Sequence, residues 1–386
     1  MILKRMQRTF ALVALSLAVA LGCSDARATG AVQTPTTPAD SVLQIPAGFI
    51  VGADVSSLAA VEAAGARFSQ NGVVEDALAI LARNGFNYAR LRLFHTPPRG
   101  RELVNDLAYD ISLAMRAKRA GLKLLLDLHY SDIWADPGSQ TKPAAWSALT
   151  FDQLRDSVFA YTRDVVAAFV KAGATPDMIQ LGNEVNVGFL WPDGHADKID
   201  AEWTKFAALI ESGRAGARAG LGGATALFMH HVADPAVVVW HMDNLLRHTA
   251  APDAIGVSYY PVWHGDLATF TARMNEIATK YGKPVVVAET AYPWTNASFD
   301  AYPDVYHGAP ASGMPAYTPA GQQQFFSRFL AALAGVPNGR GAGFFYWEPA
   351  WLPGAFGSPV DDMTIFDQTG AALPVVTFIR DATKAR

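Results

Sequence analysis

The chain has 386 residues, of which 51% are hydrophobic and 17% are charged, so it can bury a large core and is not intrinsically disordered. Lys and Arg number 31 against 35 Asp and Glu, which gives a net charge of -4. This balance, without a basic stripe, offers no electropositive surface to a phosphate backbone, and we expect no nucleic-acid partner. The single cysteine excludes an internal disulfide and a Cys-rich zinc site.

The first residues have the pattern of an export signal. Three basic residues precede an apolar run at 10–22, which is too short to span a bilayer comfortably. Two processing sites remain open. Small residues at 26–28 fit ordinary cleavage and predict a signal peptide at 1–28, whereas residues 20–23 resemble a bacterial lipobox, which would end the signal at 22 and lipidate Cys23.

Both alternatives predict that the protein leaves the cytoplasm of a bacterium. It would be secreted, or held at the outer membrane or cell surface by a lipid anchor on Cys23. Residues 29–45 follow the signal and are rich in Thr, Pro and Ala, a composition that predicts a flexible leader. The remaining residues, 46–386, are predicted to form one domain.

That domain alternates short apolar segments with longer amphipathic ones. The eight predicted strands are 49–55, 87–94, 122–129, 178–182, 226–231, 254–259, 284–289 and 343–347. The seven predicted helices are 75–84, 106–120, 152–172, 200–219, 236–248, 267–281 and 320–334. Such alternation predicts an α/β fold of the (β/α)8 TIM-barrel type. A dinucleotide-binding sheet is disfavoured, because no Gly-x-Gly-x-x-Gly follows the first strand.

Two glutamates close predicted strands. Glu184 follows the fourth strand and Glu289 ends the seventh, and TIM barrels carry their reactive groups at these strand ends. Rim glutamates in ion pairs with Arg90 or Arg92 are the structural alternative. A carboxylate pair at the barrel mouth favours glycoside hydrolysis, which needs a proton donor and a nucleophile or base. Arg90 would keep one glutamate ionised by lowering its pKa, and Asn183 could hydrogen-bond a sugar 2-hydroxyl.

Long blocks of sequence resemble glycoside hydrolase family 53, the arabinogalactan endo-β-1,4-galactanases. They are GADVSS at 52–57, ARLRLF at 89–94, LLLDLHYSDIWADPGSQTKPAAW at 124–146, QLGNEVNVGFLWPDG at 180–194, GVSYYPVWHG at 256–265, VVVAET at 285–290 and FYWEPAWLP at 345–353. The blocks are ordered and spread over most of the predicted strands. A lone Asn-Glu pair would have suggested only the wider group of retaining barrel hydrolases.

The resemblance implies endo-hydrolysis of β-1,4-galactan with retention, through a covalent galactosyl-enzyme. It implies that Glu184 is the acid/base and that Glu289 is the nucleophile. Arg90 matches the arginine that supports the nucleophile, and Asn183 matches the partner of the 2-hydroxyl. Tyr259 would contact the nucleophile, and Trp347 would form the floor of the −1 subsite. No cofactor and no protein partner are implied.

Seven of the nine tryptophans lie at or just after predicted strand ends. Indole rings stack on pyranose rings, although tryptophan is more often a loop anchor or part of the core. We expect sugar contact for Trp347 and Trp351, and leave Trp191, Trp263 and Trp294 open between sugar contact and anchoring. Trp134 and Trp146 are expected to brace the long third loop.

Histidines and aspartates are the candidate metal ligands. The chain has no His-x-His at the first strand, so we expect His129 and His230 to orient the glutamates and the sugar rather than to bind a metal. Some bacterial galactanases that this chain resembles tie the loops after strands seven and eight with calcium. The corresponding loops contain Asp300, Asp304, Asp361 and Asp362, which could supply oxygen ligands, but solvated acidic loops are the expectation. No required metal is predicted.

Two other functions remain open from the sequence. A retaining barrel hydrolase acting on mannan, xylan or another β-glucan would use the same glutamates. A surface glycan-binding lipoprotein with a degenerate barrel is a non-catalytic alternative. The intact set of Glu184, Glu289, Asn183 and Arg90 argues against a pure binding protein, because binding needs no paired acid and nucleophile.

Overall fold

The computed structural model describes residues 43, 45–100, 102–354 and 356–384. The predicted signal segment, Cys23 and nearly all of the leader at 29–45 lie outside these residues. Within them, no helix has the length and apolar character needed to cross a membrane.

The described chain contains ten strands. They are β1 (Ile50–Asp54), β2 (Phe68–Gln70), β3 (Val73–Glu75), β4 (Tyr88–Leu93), β5 (Lys123–Leu128), β6 (Met178–Leu181), β7 (Leu227–Ala233), β8 (Ala254–Ser258), β9 (Val285–Thr290) and β10 (Gly341–Trp347). Eight of them form a closed parallel barrel in the order β1-β10-β9-β8-β7-β6-β5-β4. β2 and β3 form a separate antiparallel pair. The (β/α)8 prediction is confirmed.

Helices surround the barrel. They are α1 (Leu58–Ala63), α2 (Ala77–Arg83), α3 (Leu107–Arg119), α4 (Phe151–Lys171), α5 (Asp200–Leu221), α6 (Val238–Leu245), α7 (Pro261–His264), α8 (Leu267–Tyr281), α9 (Pro319–Ala334) and α10 (Pro374–Thr383). Side-chain caps fix several helix starts. The hydroxyl of Thr150, for example, accepts from the N–H of Gln153 in a capping box before α4.

Alternation along the strands separates the inside of the barrel from its outer wall. One side chain or more from every barrel strand packs into a single inner cluster: Ile50, Tyr88, Leu125, Met178, Met229, Ala254, Val286, Ala288 and Phe345. Gly52 lies beside this cluster, and a Cβ there would be 2.2 Å from Phe345 Cδ1. Glycine at this position therefore makes room for the phenylalanine ring.

The inner face continues from this cluster to the carboxyl ends of the strands. Two and four residues beyond Tyr88 lie Arg90 and Arg92, and two residues beyond Leu125 lies Asp127. Arg90, Arg92 and Asp127 are almost completely buried. The barrel thus changes from an apolar plug at the bottom to a layer of charged and polar side chains at the mouth.

Candidate active site

Glu184 and Glu289 face each other at the barrel mouth. Glu184 is the third residue after β6, and Glu289 is the next-to-last residue of β9. In the wall, β7 and β8 lie between these two strands. A carboxylate oxygen of Glu184 lies within 4.8 Å of one of Glu289. This approach is compatible with the ~5–5.5 Å carboxyl separation of retaining glycosidases.

The turn that presents Glu184 has an uncommon backbone conformation. Glu184 has a φ of +48°, in the left-handed region, which costs a residue other than glycine roughly 1–3 kcal/mol. Gly182 precedes it with a φ of +89°, and a Cβ there would lie 2.6 Å from Val185 Cγ1. A hydrogen bond from the Val185 N–H to the His231 carbonyl, at 3.0 Å, ties this turn to β7.

Arg90 is the charged centre of the site. Its Nη1 lies 2.6 Å from Asp54 Oδ2, and its Nη2 lies 2.8 Å from both Asp127 Oδ2 and Glu289 Oε1. Nη2 also donates to Asn183 Oδ1 at 2.9 Å. One buried cation therefore serves three carboxylates, and the cluster is left with excess negative charge. The structure places Arg90 against Glu289, the predicted nucleophile, as expected, and brings Asn183, the predicted partner of the sugar 2-hydroxyl, into contact with Arg90.

The surroundings of the two glutamates differ in charge. Burial raises the pKa of Glu289 to about 7, Arg90 opposes the increase, and Asp54 and Asp127 reinforce it. Burial, followed by the charge of Glu289, raises the pKa of Glu184 well above its usual value. In the described part of the chain, Glu289 has an ion pair and Glu184 has none. We therefore expect Glu289 to ionise first and Glu184 to retain its proton.

A chain of polar side chains approaches Glu184 from behind. Ser258 Oγ donates to Glu184 Oε1 at 2.5 Å, and His231 Nε2 lies 2.9 Å from Ser258 Oγ. His231 Nδ1 lies 3.0 Å from Gln180 Nε2 and 3.0 Å from Asn183 Oδ1. Three of the barrel strands and the turn after β6 thus meet around the predicted acid/base.

The prediction that His230 orients the glutamates is wrong, because this side chain points to the outside of the barrel. Its Nε2 lies 2.7 Å from the Nε2 of His241 on α6, and the two rings are stacked. The neighbouring His231 occupies the inner position instead. His129 does lie at the site, where its Nε2 is 3.1 Å from Asp127 Oδ2 and its ring contacts Trp134 edge to face.

The prediction for Tyr259 is also wrong by one residue. Its hydroxyl donates to the Gly265 carbonyl at 3.0 Å and its ring stacks on Phe270 of α8, so it lies on the outside of the wall. Tyr260 is the tyrosine that contacts the nucleophile, since its hydroxyl donates to Glu289 Oε2 at 3.3 Å.

Three partly exposed tryptophans are linked by ring contacts to Tyr260, the tyrosine that contacts Glu289. Trp347 contacts Trp134 and Tyr260 edge to face, both at 6.4 Å between ring centroids. Trp263 contacts Tyr260 in the same way at 5.1 Å. Trp134, expected only to brace its loop, therefore lies beside Trp347, and the Arg92 guanidinium lies 4.2 Å from its ring centroid.

Other tryptophans do not reach this group in the described structure. Trp351 is 1% exposed, and its indole N–H donates to the Gly357 carbonyl at 2.8 Å, so the expected sugar contact is wrong. Trp294 is buried and stacks on Phe299. Trp191 is partly exposed, but its indole N–H donates to Val187 within its own loop. Trp146 is buried against His95, which agrees with a bracing role.

Sequence reasoning missed five polar side chains of this site. They are Asp54, Asp127, His231, Ser258 and Tyr260. Strand alternation contained the signal for all five, since Asp54 also lies in steps of two from Ile50 of the inner cluster. Counting in steps of two from the inner cluster leads from Leu125 to Asp127, from Met229 to His231, and from Ala254 to Ser258 and then Tyr260.

A second acidic cluster joins the loops after β9 and β10. One carboxylate oxygen from each of Asp304, Asp361 and Asp362 lies within 4.8 Å of the others, and all three side chains are almost completely buried. The expectation of solvated acidic loops is therefore wrong for these residues. Among the described residues, no hydrogen-bond partner is present for Oδ1 of Asp304, Asp361 or Asp362, whereas His307 Nε2 lies 3.1 Å from Asp304 Oδ2.

Comparisons with known proteins agree with this geometry. Residues 50–379 match the model of glycosyl hydrolase family 53. The endo-β-1,4-galactanase of Bacillus subtilis (strain 168) is 34% identical over 316 residues, covering 79% of this chain and 71% of that protein. The arabinogalactan endo-β-1,4-galactanase of Thermothelomyces thermophilus is 33% identical over 335 residues, covering 83% and 96%. The solved catalytic domain from Ignisphaera aggregans has a TM-score of 0.82 at 32% identity, covering 89% of this chain and 99% of that one. This chain belongs to glycosyl hydrolase family 53.

Proposed function

We propose that the protein is an endo-acting β-1,4-galactanase that hydrolyses galactan and type I arabinogalactan with retention. Membership of the family and the names of its relatives support this substrate and this reaction. The observation that carries the mechanism is the approach of a Glu184 carboxylate oxygen to within 4.8 Å of one of Glu289. Of these two glutamates, Glu289 is the one that forms an ion pair with Arg90.

In the first step, a carboxylate oxygen of Glu289 attacks the anomeric carbon and the glycosidic C–O bond breaks. The electron pair of that bond goes to the leaving oxygen, which takes the proton of Glu184. Arg90 holds Glu289 in the ionised form that can attack. The raised pKa of Glu184, caused by burial and by the charge of Glu289, keeps the proton available near neutral pH.

In the second step, water replaces the departed part of the chain. Glu184, now a carboxylate, takes a proton from this water, and the water oxygen attacks the anomeric carbon. The bond between that carbon and Glu289 breaks, and Glu289 leaves as a carboxylate. Two inversions at one carbon give net retention. The two residues carry out this chemistry without a cofactor.

The positions of three tryptophans indicate where galactan binds at the barrel mouth. Trp134, Trp263 and Trp347 are partly exposed. Trp263 and Trp347 contact Tyr260, which contacts the nucleophile, and Trp134 contacts Trp347. Indole faces at these positions suit stacking on galactopyranose rings. We assign sugar contact to Trp347 first, since it lies at the end of β10 and contacts Tyr260, and then to Trp134 and Trp263.

Substrate profiling of purified wild type, Glu184→Ala and Glu289→Ala proteins tests the proposal. We expect reducing ends to be released from galactan, with little release from mannan or xylan, and the first product to be the β-anomer by NMR. Each variant should lose at least about a hundredfold in kcat/KM. Wild-type rates from Glu289→Ala would contradict the assignment, and turnover of mannan or xylan in preference would favour another β-1,4-glycan as substrate.

A non-catalytic glycan-binding protein is the remaining alternative from another class. The buried charges argue against it, because burying the carboxylates of Glu289, Asp54 and Asp127 around one arginine is costly and contributes nothing to binding a neutral sugar. Calorimetric binding of galactan without any turnover by the wild type would support the binding protein instead.

We also propose that the acidic cluster binds a hard divalent cation such as Ca²⁺. The fit rests on the buried Oδ1 atoms of Asp304, Asp361 and Asp362, none of which has a hydrogen-bond partner among the described residues. Ca²⁺ prefers six to eight oxygen ligands at ~2.3–2.6 Å, and three aspartates could provide part of this shell. The ion would tie two loops together and would take no part in the reaction at Glu184 and Glu289.

Finally, we propose that the protein is exported. The basic residues followed by the apolar run at 10–22 support a signal peptide, and an extracellular polysaccharide as substrate agrees with export. Mass spectrometry of the mature protein distinguishes the two processing sites. A free amino terminus at Thr29 indicates secretion, a lipidated Cys23 indicates a surface lipoprotein, and an uncleaved chain would contradict export by either route.

A further inference from the structure

Ser258 contacts only one of the two oxygens of the predicted acid/base. Its hydroxyl donates to Glu184 Oε1 at 2.5 Å, whereas no hydrogen bond reaches Oε2 from the residues that the structure describes. Glu184 is partly exposed at the mouth of the barrel. The two oxygens of this carboxyl group therefore have different environments before any substrate is bound.

The hydrogen bonds behind Ser258 have a fixed direction. The Ser258 hydroxyl has one hydrogen, and when it donates to Glu184, His231 Nε2 must carry a hydrogen and donate to Ser258 Oγ at 2.9 Å. His231 Nδ1 is then unprotonated and accepts from Gln180 Nε2 at 3.0 Å. Gln180 Nε2 also lies 3.1 Å from the Gly182 carbonyl, which can only accept, so this end of the amide must be the donor.

The opposite direction is unfavourable. It would need a hydrogen on His231 Nδ1, which would then face the Gln180 donor. Asn183 Oδ1 is the other group within reach of Nδ1, at 3.0 Å, but it already accepts from Arg90 at 2.9 Å and lies 3.2 Å from the Gln180 amide nitrogen. With a hydrogen on Nδ1, the second hydrogen of the Gln180 amide would also turn to this oxygen, which would then face three donors with two lone pairs. Burial, together with Arg90, also keeps the pKa of His231 well below its usual value, so the ring is neutral.

We propose that Ser258, ordered by His231 and Gln180, determines which oxygen of Glu184 carries the acid proton. With Oε1 held as an acceptor, the proton of the carboxylic acid lies on Oε2, the oxygen that is free to meet the leaving glycosidic oxygen. Ser258 and His231 are thus positioning residues of the acid/base. The proposal rests on the acid/base role of Glu184 in the proposed function.

Proton transfer uses the same oxygen of Glu184 in both steps. The Oε2–H bond breaks as the leaving oxygen gains the proton, and Oε1 keeps its hydrogen bond from Ser258 throughout. When water enters, Oε2 takes the proton back. Without Ser258, the proton would be shared between Oε1 and Oε2, and a part of the molecules would present an oxygen that cannot donate toward the substrate.

Loss of the Ser258 hydroxyl should also change the pH profile. A donor to the carboxylate lowers its pKa, so removal raises the pKa of Glu184 further. The other charged groups that act on this carboxyl are Glu289 and Asp136, which raise its pKa, and Arg90, which lowers it, and none of these is altered in a Ser258 variant. The basic limb of kcat/KM reports the loss of the Glu184 proton and should therefore move to higher pH.

The test compares Ser258→Ala and Ser258→Thr on two substrates. Galactan has a poor leaving group that needs the proton, whereas a dinitrophenyl β-galactobioside has a leaving group that does not. We expect Ser258→Ala to lose about ten- to a hundredfold in kcat/KM on galactan, a part of the 10²–10⁴ that proton transfer contributes, and less than about threefold on the aryl substrate. Ser258→Thr keeps the hydroxyl and should recover most of the loss.

Glu184→Gln, measured in parallel, separates this inference from the proposed function. If Glu184→Gln is not selective for the leaving group, the acid/base assignment itself fails. If Glu184→Gln is selective, equal losses of Ser258→Ala on both substrates, or an unchanged basic limb, would overturn the role of Ser258. Should Ser258→Ala not fold, Ser258→Cys provides the comparison, because a thiol of similar shape is a weak donor and should give an intermediate loss with the same selectivity.

Discussion

Tyr259 and Tyr260 are adjacent in the chain, but Tyr259 packs against the outer helices and Tyr260 belongs to the active site. Ala254 and Ser258 lie on the inner face of β8, and Tyr260 continues that face toward Glu289 at the barrel mouth. Tyr259 points the other way and packs on Phe270 and Phe329. The two side chains differ in contacts although they are identical in type and adjacent in the chain.

We expect Tyr260→Phe to reduce galactan hydrolysis while leaving the fold intact. The lost hydroxyl donates to the Glu289 carboxylate, and a hydrogen bond to a charged group contributes ~1.5–3 kcal/mol, so kcat/KM should fall about ten- to a hundredfold. The loss should be mainly in kcat, since the nucleophile would be less well oriented for attack. Steady-state kinetics on galactan measure it.

Tyr259→Phe is the matched control. It removes the same atom from the neighbouring residue, whose hydroxyl has the Gly265 carbonyl, at 3.0 Å, as its hydrogen-bond partner within the described structure, so kcat/KM should stay within about twofold of wild type. Equal losses from the two variants would contradict the inner position of Tyr260 and the outer position of Tyr259, because they would mean that both hydroxyls act through stability rather than through Glu289.

Sequence reasoning reached some residues of the site more easily than others. Glu184, Asn183 and Arg90 were identified from motifs, and the structure brings them together. The inward direction of Glu289 does not follow from alternation, because Val286 and Ala288 already pack inside the barrel. A shift in pairing between β8 and β9, where Ser258 pairs with Glu289 after Val257 pairs with Val287, turns this glutamate inward, and such bulges are common beside active sites.

Whether a loop tryptophan is exposed could not be predicted from local sequence. Trp351 and Trp294 follow strand ends as Trp347 does, but each is covered by chain from elsewhere in the two loops. Trp294 donates its indole N–H to the carbonyl of Asp361, a residue far along the sequence. Long-range packing of this kind has no periodic pattern in the sequence.

At the scale of the elements, buried strands were predicted well and the short outer elements were not. All eight barrel strands lie within a few residues of their predicted positions, because continuous apolar runs between helices are typical of a parallel barrel. The short helix α1, the β2–β3 pair and the terminal helix α10 were not predicted. α10 has ten residues and follows a long loop without regular structure, so little in its surroundings indicated a helix.

Helices α4 and α5 pack through glycines, and this contact gives a prediction at the element scale. A Cβ at Gly216 would lie 2.3 Å from the Phe159 carbonyl oxygen, and one at Gly220 would lie 2.4 Å from that of Arg163. Although alanine favours a helix over glycine by ~1 kcal/mol, we expect Gly216→Ala to reduce the free energy of unfolding by about 1–3 kcal/mol, because the helices must move apart. Chemical denaturation measures the change.

Ala215→Gly on the same helix is the control for propensity alone. Ala215 is exposed, so this substitution should cost only the ~1 kcal/mol by which the helix prefers alanine. A Gly216→Ala protein that is more stable than wild type would show that propensity outweighs packing and that the two helices are not in close contact at this point.

At the scale of the whole molecule, the acidic cluster links the loops that follow β9 and β10. The backbone N–H of Phe299 donates to Asp361 Oδ2 at 2.9 Å, and the backbone N–H of Trp294 donates to the Asp362 carbonyl at 2.9 Å. These loops lie on the same end of the barrel as the reacting glutamates. Their order therefore depends on how the negative charge of Asp304, Asp361 and Asp362 is balanced.

Without a bound cation, this cluster makes stability depend on pH. Burial raises the pKa of Asp361 to about 7 and that of Asp362 to about 8, far above the ~3.9 of an unfolded aspartate. Between these values the folded protein binds more protons than the unfolded chain, so its stability falls as pH rises. Burial raises the pKa values of Glu289 and Glu348 to about 7 as well. These two residues therefore also lower the stability of the folded protein as pH rises.

Thermal unfolding with and without calcium tests the cluster. In EDTA, we expect the Tm of the wild type to fall between pH 5.5 and pH 8, because the aspartates must ionise next to one another. Added Ca²⁺ should restore the Tm at pH 8, by an amount equivalent to about 2.7 kcal/mol when its concentration is a hundredfold above Kd, and should have little effect at pH 5.5, where protons compete for the carboxylates. The double variant Asp361→Asn/Asp362→Asn should lose the response to Ca²⁺ and part of the dependence on pH, and the part that remains includes the contributions of Glu184, Glu289 and Glu348. Asp164→Asn, at an exposed aspartate of α4, controls for the general effect of removing negative charge. A calcium response that survives in the double variant would place the ion elsewhere in the protein.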